Sequence, residues 1–397
     1  MRKGIRYVVA LLLLVFGAQS AHAQGIDHYN LALTFEGQKN WTKAFDQMLK
    51  AAEGGNAEAQ FRVANYYLEG QGTPSDRAKA IEWLERAAVS GNDSAALHLA
   101  EAYSLWVNYR DVNKAKHWIA EVAKHKNKET LLLLGDCAQS IDMRQAIVFY
   151  TEAMNAGVAE AAFRLSNIYI SPKASDGSPN EFVDTLKAVS MCKVSAEMGY
   201  TDAQWLLAQI YAYGMGVEKN MEQSNMWLKK AAENGLAVAQ YWLARLYDSQ
   251  GNPEERDKWL YRSAQQGEPK ACVDFAAILN QEGDSALATA YYLKAAEAGD
   301  AVAQYLVGKA YFKGKGVKQD YTKAFYWFGE GAKQNNVNCL YNYGAMMSLG
   351  SYYDVPMDIK RGRELLTVAK TMGHQGAAEL LSDLEKLREK YRETYKK

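Results

Sequence analysis

The feature that most constrains this chain is a unit of about 35 residues that recurs along most of its length. One column of small residues marks the unit, and its members are Ala51, Ala87, Val122, Ala153, Ser195, Ala231, Ser263, Ala295, Gly331 and Ala369. A large apolar residue stands four positions before nine of these ten residues, as Trp227 stands before Ala231. A spacing of four places both residues on one helical face, so the large side chain fills the space that the small one leaves.

Each unit predicts a pair of helices. Gly or Asn stands four positions after nine of the ten column residues, where it can adopt the left-handed conformation that ends a helix. A second helix follows, with apolar residues three and four apart, as in Ala203, Leu207 and Tyr211. One such hairpin leaves part of its apolar surface uncovered, so neighbouring hairpins must stack. We therefore predict an all-α array of about ten helix-turn-helix repeats over residues 24–374.

Residues 375–397 predict a C-terminal capping helix. An apolar stripe of Leu380, Leu384, Leu387 and Tyr391 lies on one face of this helix, and charged residues cover the others. A coiled-coil strand that dimerises the chain is the alternative interpretation of the stripe.

Residues 1–23 predict a cleaved signal peptide and hence a periplasmic or secreted protein. A short basic region with Arg2, Lys3 and Arg6 precedes an apolar run, and small residues lead to Ala23. No Cys follows at the cleavage point, which argues against a lipoprotein anchor, and no later segment is apolar enough to span a bilayer. Cleavage leaves 43 Lys and Arg against 46 Asp and Glu, a balance that argues against nucleic-acid binding.

Loops with a Gly-x-Gly pattern follow several of the predicted second helices. They read Gly214-Met-Gly216-Val217 before Asn220, Gly314-Lys-Gly316-Val317 before Asp320, and Gly70-Gln-Gly72-Thr73 before Asp76. These units resemble Sel1-like repeats, which are related to tetratricopeptide repeats, and the resemblance covers nearly all of the mature chain. It implies a right-handed superhelical solenoid and adaptor roles in envelope assembly, signalling or host interaction. The stretch Ser171–Pro179 departs from the pattern and predicts an enlarged loop.

The sequence offers little chemistry of the kind that a catalytic site needs. It has neither a zinc-protease motif nor a Cys-x-x-Cys pair, and His117 and His125 read best as solvated side chains. We interpret its four cysteines as buried small hydrophobic residues rather than disulfide partners. No catalytic residue, metal site or cofactor is therefore predicted.

In the repeats that this chain resembles, one helix of each pair lines a concave groove. Two columns four residues apart on this helix combine aromatic with polar side chains. The candidate partner-binding residues are Phe163, Asn167, Trp205, Gln209, Tyr241, Arg245, Tyr305, Lys309 and Tyr341. The alternative for the aromatic column is packing between adjacent repeats.

We therefore expect a monomeric, non-enzymatic scaffold that binds a partner protein or peptide outside the cytoplasm. A glycan-binding factor in exopolysaccharide assembly is one alternative, because aromatic rings beside amides also stack on sugars. A cell-wall-related, β-lactamase-like hydrolase, as reported for cysteine-rich relatives, is another. The missing cysteine pairs and the missing nucleophile motif count against this hydrolase.

Overall fold

A computed structural model of the chain describes residues 27–173 and 177–394, and the regular structure in these ranges is helical. The chain divides into two compact units, of which the first ends at Ala203 and the second begins at Gln204. The first unit contains α1 (27–37), α2 (Trp41–Glu53), α3 (Ala57–Glu69), α4 (Arg77–Val89), α5 (Asp93–Leu105), α6 (Val112–Ala123), α7 (Lys128–Gln139), α8 (Met143–Asn155), α9 (Ala159–Ile170) and α10 (Thr185–Glu197). Helix α11 (Thr201–Tyr213) contains the boundary. The second unit continues with α12 (Met221–Glu233), α13 (Ala237–Ser249), α14 (Pro253–Gln265), α15 (Pro269–Glu282), α16 (Ser285–Glu297), α17 (Ala301–Lys313), α18 (Tyr321–Lys333), α19 (Val337–Ser348), α20 (Gly350–Tyr353), α21 (Ile359–Thr371) and α22 (Gln375–Thr394).

The helices form ten consecutive pairs, from α1–α2 to α19–α21, and α22 follows the last pair. The short helix α20 is inserted between the two members of the tenth pair. The predicted all-α repeat solenoid is therefore confirmed, with the expected number of repeats. The predicted signal peptide, residues 1–23, lies outside the described residues.

Small side chains form a buried layer where the helices of a pair meet. All ten residues of the column that begins with Ala51 are buried. In α17, Gly308 is buried against the ring of Phe328, and a Cβ atom at this position would collide with that ring. The regularly spaced small residues thus mark the positions at which two helices pack closely together.

The predicted helix ends are also present. Of the ten residues that stand four positions after the small column, the nine Gly and Asn residues have a positive φ, and Lys126 is the exception. The three predicted helix starts are N-caps, because Asp76, Asn220 and Asp320 each accept a hydrogen bond from a backbone amide of the first turn. Local capping therefore marks the starts of these three helices.

The enlarged loop lies where the sequence predicts it, between Ile170 at the end of α9 and Thr185 at the start of α10. An isolated bridge joins Lys173 to Pro179. The side-chain amide of Asn180 donates to two backbone carbonyls, that of Ile168 at 2.7 Å and that of Ser171 at 2.9 Å. These bonds hold the described part of the loop against the end of α9.

A column of buried glutamines ties neighbouring repeats together. Gln304 donates to the carbonyl of Ala296 at 3.2 Å and accepts from the side chain of Gln334 at 2.9 Å. Gln240 repeats this arrangement with Ala232 and Gln266. Gln304 and Gln240 thus satisfy both a side-chain donor and a side-chain acceptor inside the protein, as most buried polar groups do.

Candidate functional site

The predicted partner-binding residues lie on α9, α11, α13, α17 and α19, but their exposure differs. Arg245 and Lys309 are exposed. Six others are partly buried, namely Phe163, Asn167, Trp205, Gln209, Tyr305 and Tyr341. Tyr241 is buried. Phe163 and Asn167 belong to the first unit, and the other seven belong to the second unit.

Aromatic residues of this column pack against neighbouring helices and loops, as the alternative interpretation proposed. The ring of Phe163 lies 5.2 Å from that of Tyr200, which stands in the loop before α11. Tyr341 stacks on His374 at 4.0 Å, in the corresponding loop before α22. The Tyr241 hydroxyl lies 3.3 Å from a carboxylate oxygen of Asp274 in α15. Contacts between repeats therefore occupy part of the aromatic column.

Three predicted residues come together in one open cleft between α11, α12 and α13, which we call the Trp cleft. Trp205 and Gln209 contribute from α11, and Arg245 contributes from α13. The cleft has a volume of about 310 Å³. Tyr241, Tyr305, Lys309 and Tyr341 do not line it. The small residues Ala208 and Ala212 of α11 also line the cleft.

Sequence reasoning missed the most exposed aromatic residues of the Trp cleft. Trp242 is 44% exposed, and Tyr213 at the end of α11 is 77% exposed. Met221 and Asn225 of α12 complete the wall opposite α11. At the position equivalent to Trp242, six of the other nine repeats have a polar residue and three have leucine, namely Asn30, Arg62, His98, Arg164, Asp274 and Asn342, and Leu133, Leu206 and Leu306. A tryptophan in a column of mostly polar residues indicates an exposed ring rather than a packed one.

Arg245 is the charged group of the Trp cleft. Its guanidinium lies 3.5 Å from the Asp274 carboxylate, which also faces the Tyr241 hydroxyl. Interaction with Tyr241 and with Asp274 raises the pKa of Arg245. Burial, together with the charge of Asp274, raises the pKa of Tyr241, so its hydroxyl stays protonated. Arg245 therefore keeps its positive charge, paired with Asp274, beside the aromatic rings and amides of the Trp cleft.

The equivalent junction of the first unit, between α1, α2 and α3, has different chemistry. This cleft of about 300 Å³ contains Glu36, Glu58, Glu69 and Arg62. Arg62 pairs with Glu36 at 3.1 Å, and the Tyr66 hydroxyl donates to Glu36 at 2.6 Å. Acidic side chains thus dominate this cleft, which Trp41 and Phe61 also line, whereas Arg245 is the charged residue that lines the Trp cleft.

Metal-ligating and thiol groups form no further site in the described ranges. No group of three or more His, Cys, Asp or Glu side chains converges there. Cys137, Cys192, Cys272 and Cys339 are free and buried, as the sequence predicted. Burial raises the pKa of the Cys192 thiol to about 12. None of the helices described here is long and apolar enough to cross a membrane.

Comparison with protein families decides the nature of the repeat. A family model described as the Sel1 repeat matches residues 57–92, 201–236, 279–300, 301–336 and 337–374. The chain contains Sel1 repeats at these five places. The matched segments include all three Gly-x-Gly loops that the sequence analysis singled out.

Known Sel1-repeat proteins resemble the chain over most of its length. It is 26% identical to the Sel1-repeat-containing protein YjcO of Escherichia coli K12 over 261 residues, which are 63% of this chain and 96% of that protein. It is 25% identical to chitin synthase regulatory factor 3 of Schizosaccharomyces pombe, with 63% of this chain matching 27% of that protein. The crystal structure of c5321, described as a protective antigen of uropathogenic Escherichia coli with an SLR fold, aligns with a TM-score of 0.53. This alignment has 26% identity and covers 91% of this chain and 80% of that one.

Proposed function

We propose that this Sel1-repeat protein is a non-enzymatic scaffold that binds an extended segment of a partner protein in the Trp cleft, outside the cytoplasm. The observation that carries the proposal is the convergence of Trp205, Trp242 and Tyr213 around one open cleft that also holds Arg245. Exposed aromatic rings beside an arginine are the groups that dominate binding energy in protein interfaces. Except for the buried Tyr241, the other predicted residues extend the proposed interaction surface within their own units.

The polar groups of the Trp cleft favour recognition of a main chain. The amides of Gln209 and Asn225 line the cleft between the aromatic rings. Such amides both donate to and accept from peptide groups, while the rings pack on side chains. Family membership supports the same class of function, because Sel1 repeats generally act as protein-interaction scaffolds without catalysis. The name of the fission-yeast relative likewise describes regulation of another protein, chitin synthase.

The proposed location rests on the sequence of residues 1–23, with its basic start, apolar run and small residues before Ala23. The description of the c5321 relative as a protective antigen supports a location outside the cytoplasm.

Affinity capture from a native envelope extract tests the proposal, with residues 24–397 as bait. We expect the bait to retain a protein that Trp242→Ala and Arg245→Glu baits lose, each with at least a roughly tenfold weaker affinity. Tyr326→Ala is the matched control, because Tyr326 is an exposed aromatic residue that does not line the Trp cleft. Equal capture by all four baits would place the interface elsewhere.

Glycan binding is the second candidate, and the same rings and amides support it, because flat sugar faces stack on Trp205 and Trp242. If glycan is the ligand, protease treatment of the extract leaves binding intact, and purified polysaccharides compete for the Trp cleft. Loss of all binding after protease treatment favours the protein partner.

A further inference from the structure

A second surface of the second unit has the character of a docking site. A groove of about 950 Å³ lies between α19, α21 and α22, and we call it the C-terminal groove. Its volume is about three times that of the Trp cleft, with which it shares no lining residue. Leu349, Ile359, Leu384 and Leu387 give it apolar walls.

The groove opens because the apolar stripe of α22 is only partly covered. At the start of the helix, Ala377 is fully buried against its neighbours. Further along, Leu384 is partly buried and Leu387 is 49% exposed. Ile359 on the facing helix is also exposed. The distal part of α22 therefore leaves apolar side chains open to solvent, which is typical of an interaction surface.

The dimensions of the groove match a short helix. Its lining residues on α21 run from Ile359 to Thr367, which corresponds to about 12 Å, or two helical turns. Leu384 and Leu387 are three residues apart and thus on one face of α22. A helix laid in such a groove inserts two or three apolar side chains at spacings of three, four and seven.

The rim of the groove carries an excess of positive charge. Its one lining carboxylate, Glu364, pairs with Arg361 at 2.9 Å, and Arg363 pairs with Glu385 at 2.7 Å. Lys360 and Arg388 also line the groove, and neither forms an ion pair with any residue in the described part of the chain. Two cations thus remain available to a ligand.

We propose that the C-terminal groove binds an amphipathic helix of a partner protein whose apolar stripe is flanked by Asp or Glu. The leucines and Ile359 receive the stripe, and Lys360 and Arg388 pair with the flanking carboxylates. A second copy of α22 fits less well, because the carboxylates beside its leucine stripe, Glu385 and Asp383, already pair with Arg363 and Lys386. This inference does not depend on the proposed function of the Trp cleft.

Two fluorescein-labelled helical peptides test this proposal by fluorescence anisotropy with the full chain. Both carry the same leucine stripe over 14 residues (about four turns), flanked by Glu in one peptide and by Lys in the other. We expect the Glu peptide to bind at least roughly tenfold more tightly than the Lys peptide, and added salt to reduce this preference. Equal affinities, or no binding of the Glu peptide, would overturn the proposal.

Variants of the chain locate the binding site. Leu387→Glu should abolish binding of the Glu peptide, and the double change Lys360→Glu and Arg388→Glu should reverse the preference between the peptides. Leu287→Glu is the matched control, because Leu287 is 44% exposed and lies outside the groove. Trp242→Ala should leave peptide binding unchanged, which separates this surface from the Trp cleft. Sedimentation velocity completes the test, since a dimer that Leu387→Glu dissociates would show that a second copy occupies the groove.

Discussion

Trp227 shows at the residue scale how a large side chain and a small one fix the repeat. Its ring is buried one helical turn before the fully buried Ala231, and the Lys230 ammonium lies 4.2 Å from the ring centroid. We expect Trp227→Ala to lower the free energy of unfolding by about 3–5 kcal/mol, the usual cost of emptying a buried aromatic site. Urea denaturation followed by circular dichroism measures this loss. A change below about 1 kcal/mol would contradict the repeat register that the sequence predicts.

Gln60 is the residue at which the glutamine column is incomplete. It donates to the carbonyl of Ala52 at 3.1 Å, but its own side-chain oxygen is buried without a hydrogen-bond partner. In another repeat, the side-chain amide of Asn234, the C-cap residue of α12, donates to the side-chain oxygen of Gln204 at 2.8 Å. The equivalent C-cap residue for Gln60 is Ser90 of α4, whose side chain is shorter.

We therefore expect Ser90→Asn to stabilise the protein by about 1 kcal/mol, because the new amide can reach the unpaired oxygen of Gln60. Thermal and urea denaturation measure the gain, and Ser90→Ala serves as the control that adds no donor. An equal effect of both substitutions would show that the gain does not come from this hydrogen bond.

At the scale of elements, the Gly-x-Gly loop fixes the distance between consecutive repeats. Gly316 has a φ of +75°, and a Cβ atom there would collide with the backbone carbonyl of Ser285 at the start of α16. Gly299 has a φ of +93°, but open space surrounds its Cβ position. Alanine substitutions at these two positions therefore distinguish the free-energy cost of a left-handed backbone from the additional cost of a steric collision.

We expect Gly299→Ala to destabilise the protein by about 1 kcal/mol through its left-handed backbone alone. Gly316→Ala should cost about 1–3 kcal/mol more, because overpacking must push the loop away from α16. Urea denaturation of both variants gives the comparison. Equal losses would show that the loop moves without strain.

At the scale of the whole molecule, the buried thiols make stability depend on alkaline pH. Burial raises the pKa of Cys192 and of Cys339 to about 12, from an ordinary value of 9.0. Below pH 9 these thiols are protonated in both the folded and the unfolded chain, so they do not change stability. Above pH 9 the unfolded chain alone releases their protons, so stability falls as the pH rises toward 12.

The expected slope is about 1.4 kcal/mol per pH unit for each such thiol. Urea denaturation between pH 9 and pH 10.5 measures it, and Cys192→Ala should show the shallower slope whatever its stability at pH 7. A thiol-reactive dye should also leave the four cysteines of the native chain unlabelled at pH 8. An unchanged slope in Cys192→Ala would mean that this thiol ionises in the folded state.

The repeat architecture is readable from the amino-acid sequence alone, because each unit encodes its fold locally. In α12, Trp227 and Ala231 indicate the buried face of the helix, Asn220 marks its start, and Gly235 marks its end. These signals act within about one turn, so their spacing along the chain is enough to count ten helix pairs and to place their ends.

Which side chains stay open to solvent is not readable from the sequence, because exposure depends on neighbours that are distant in the chain. Tyr241 and Trp242 are adjacent aromatic residues, yet α15 holds the first while the second faces the open Trp cleft. Likewise, the leucine stripe of α22 predicts one apolar face, but the packing of α21 covers Ala377 and leaves Leu387 exposed. A periodic sequence specifies where helices pair, and the contacts between pairs then determine which surfaces remain for a partner.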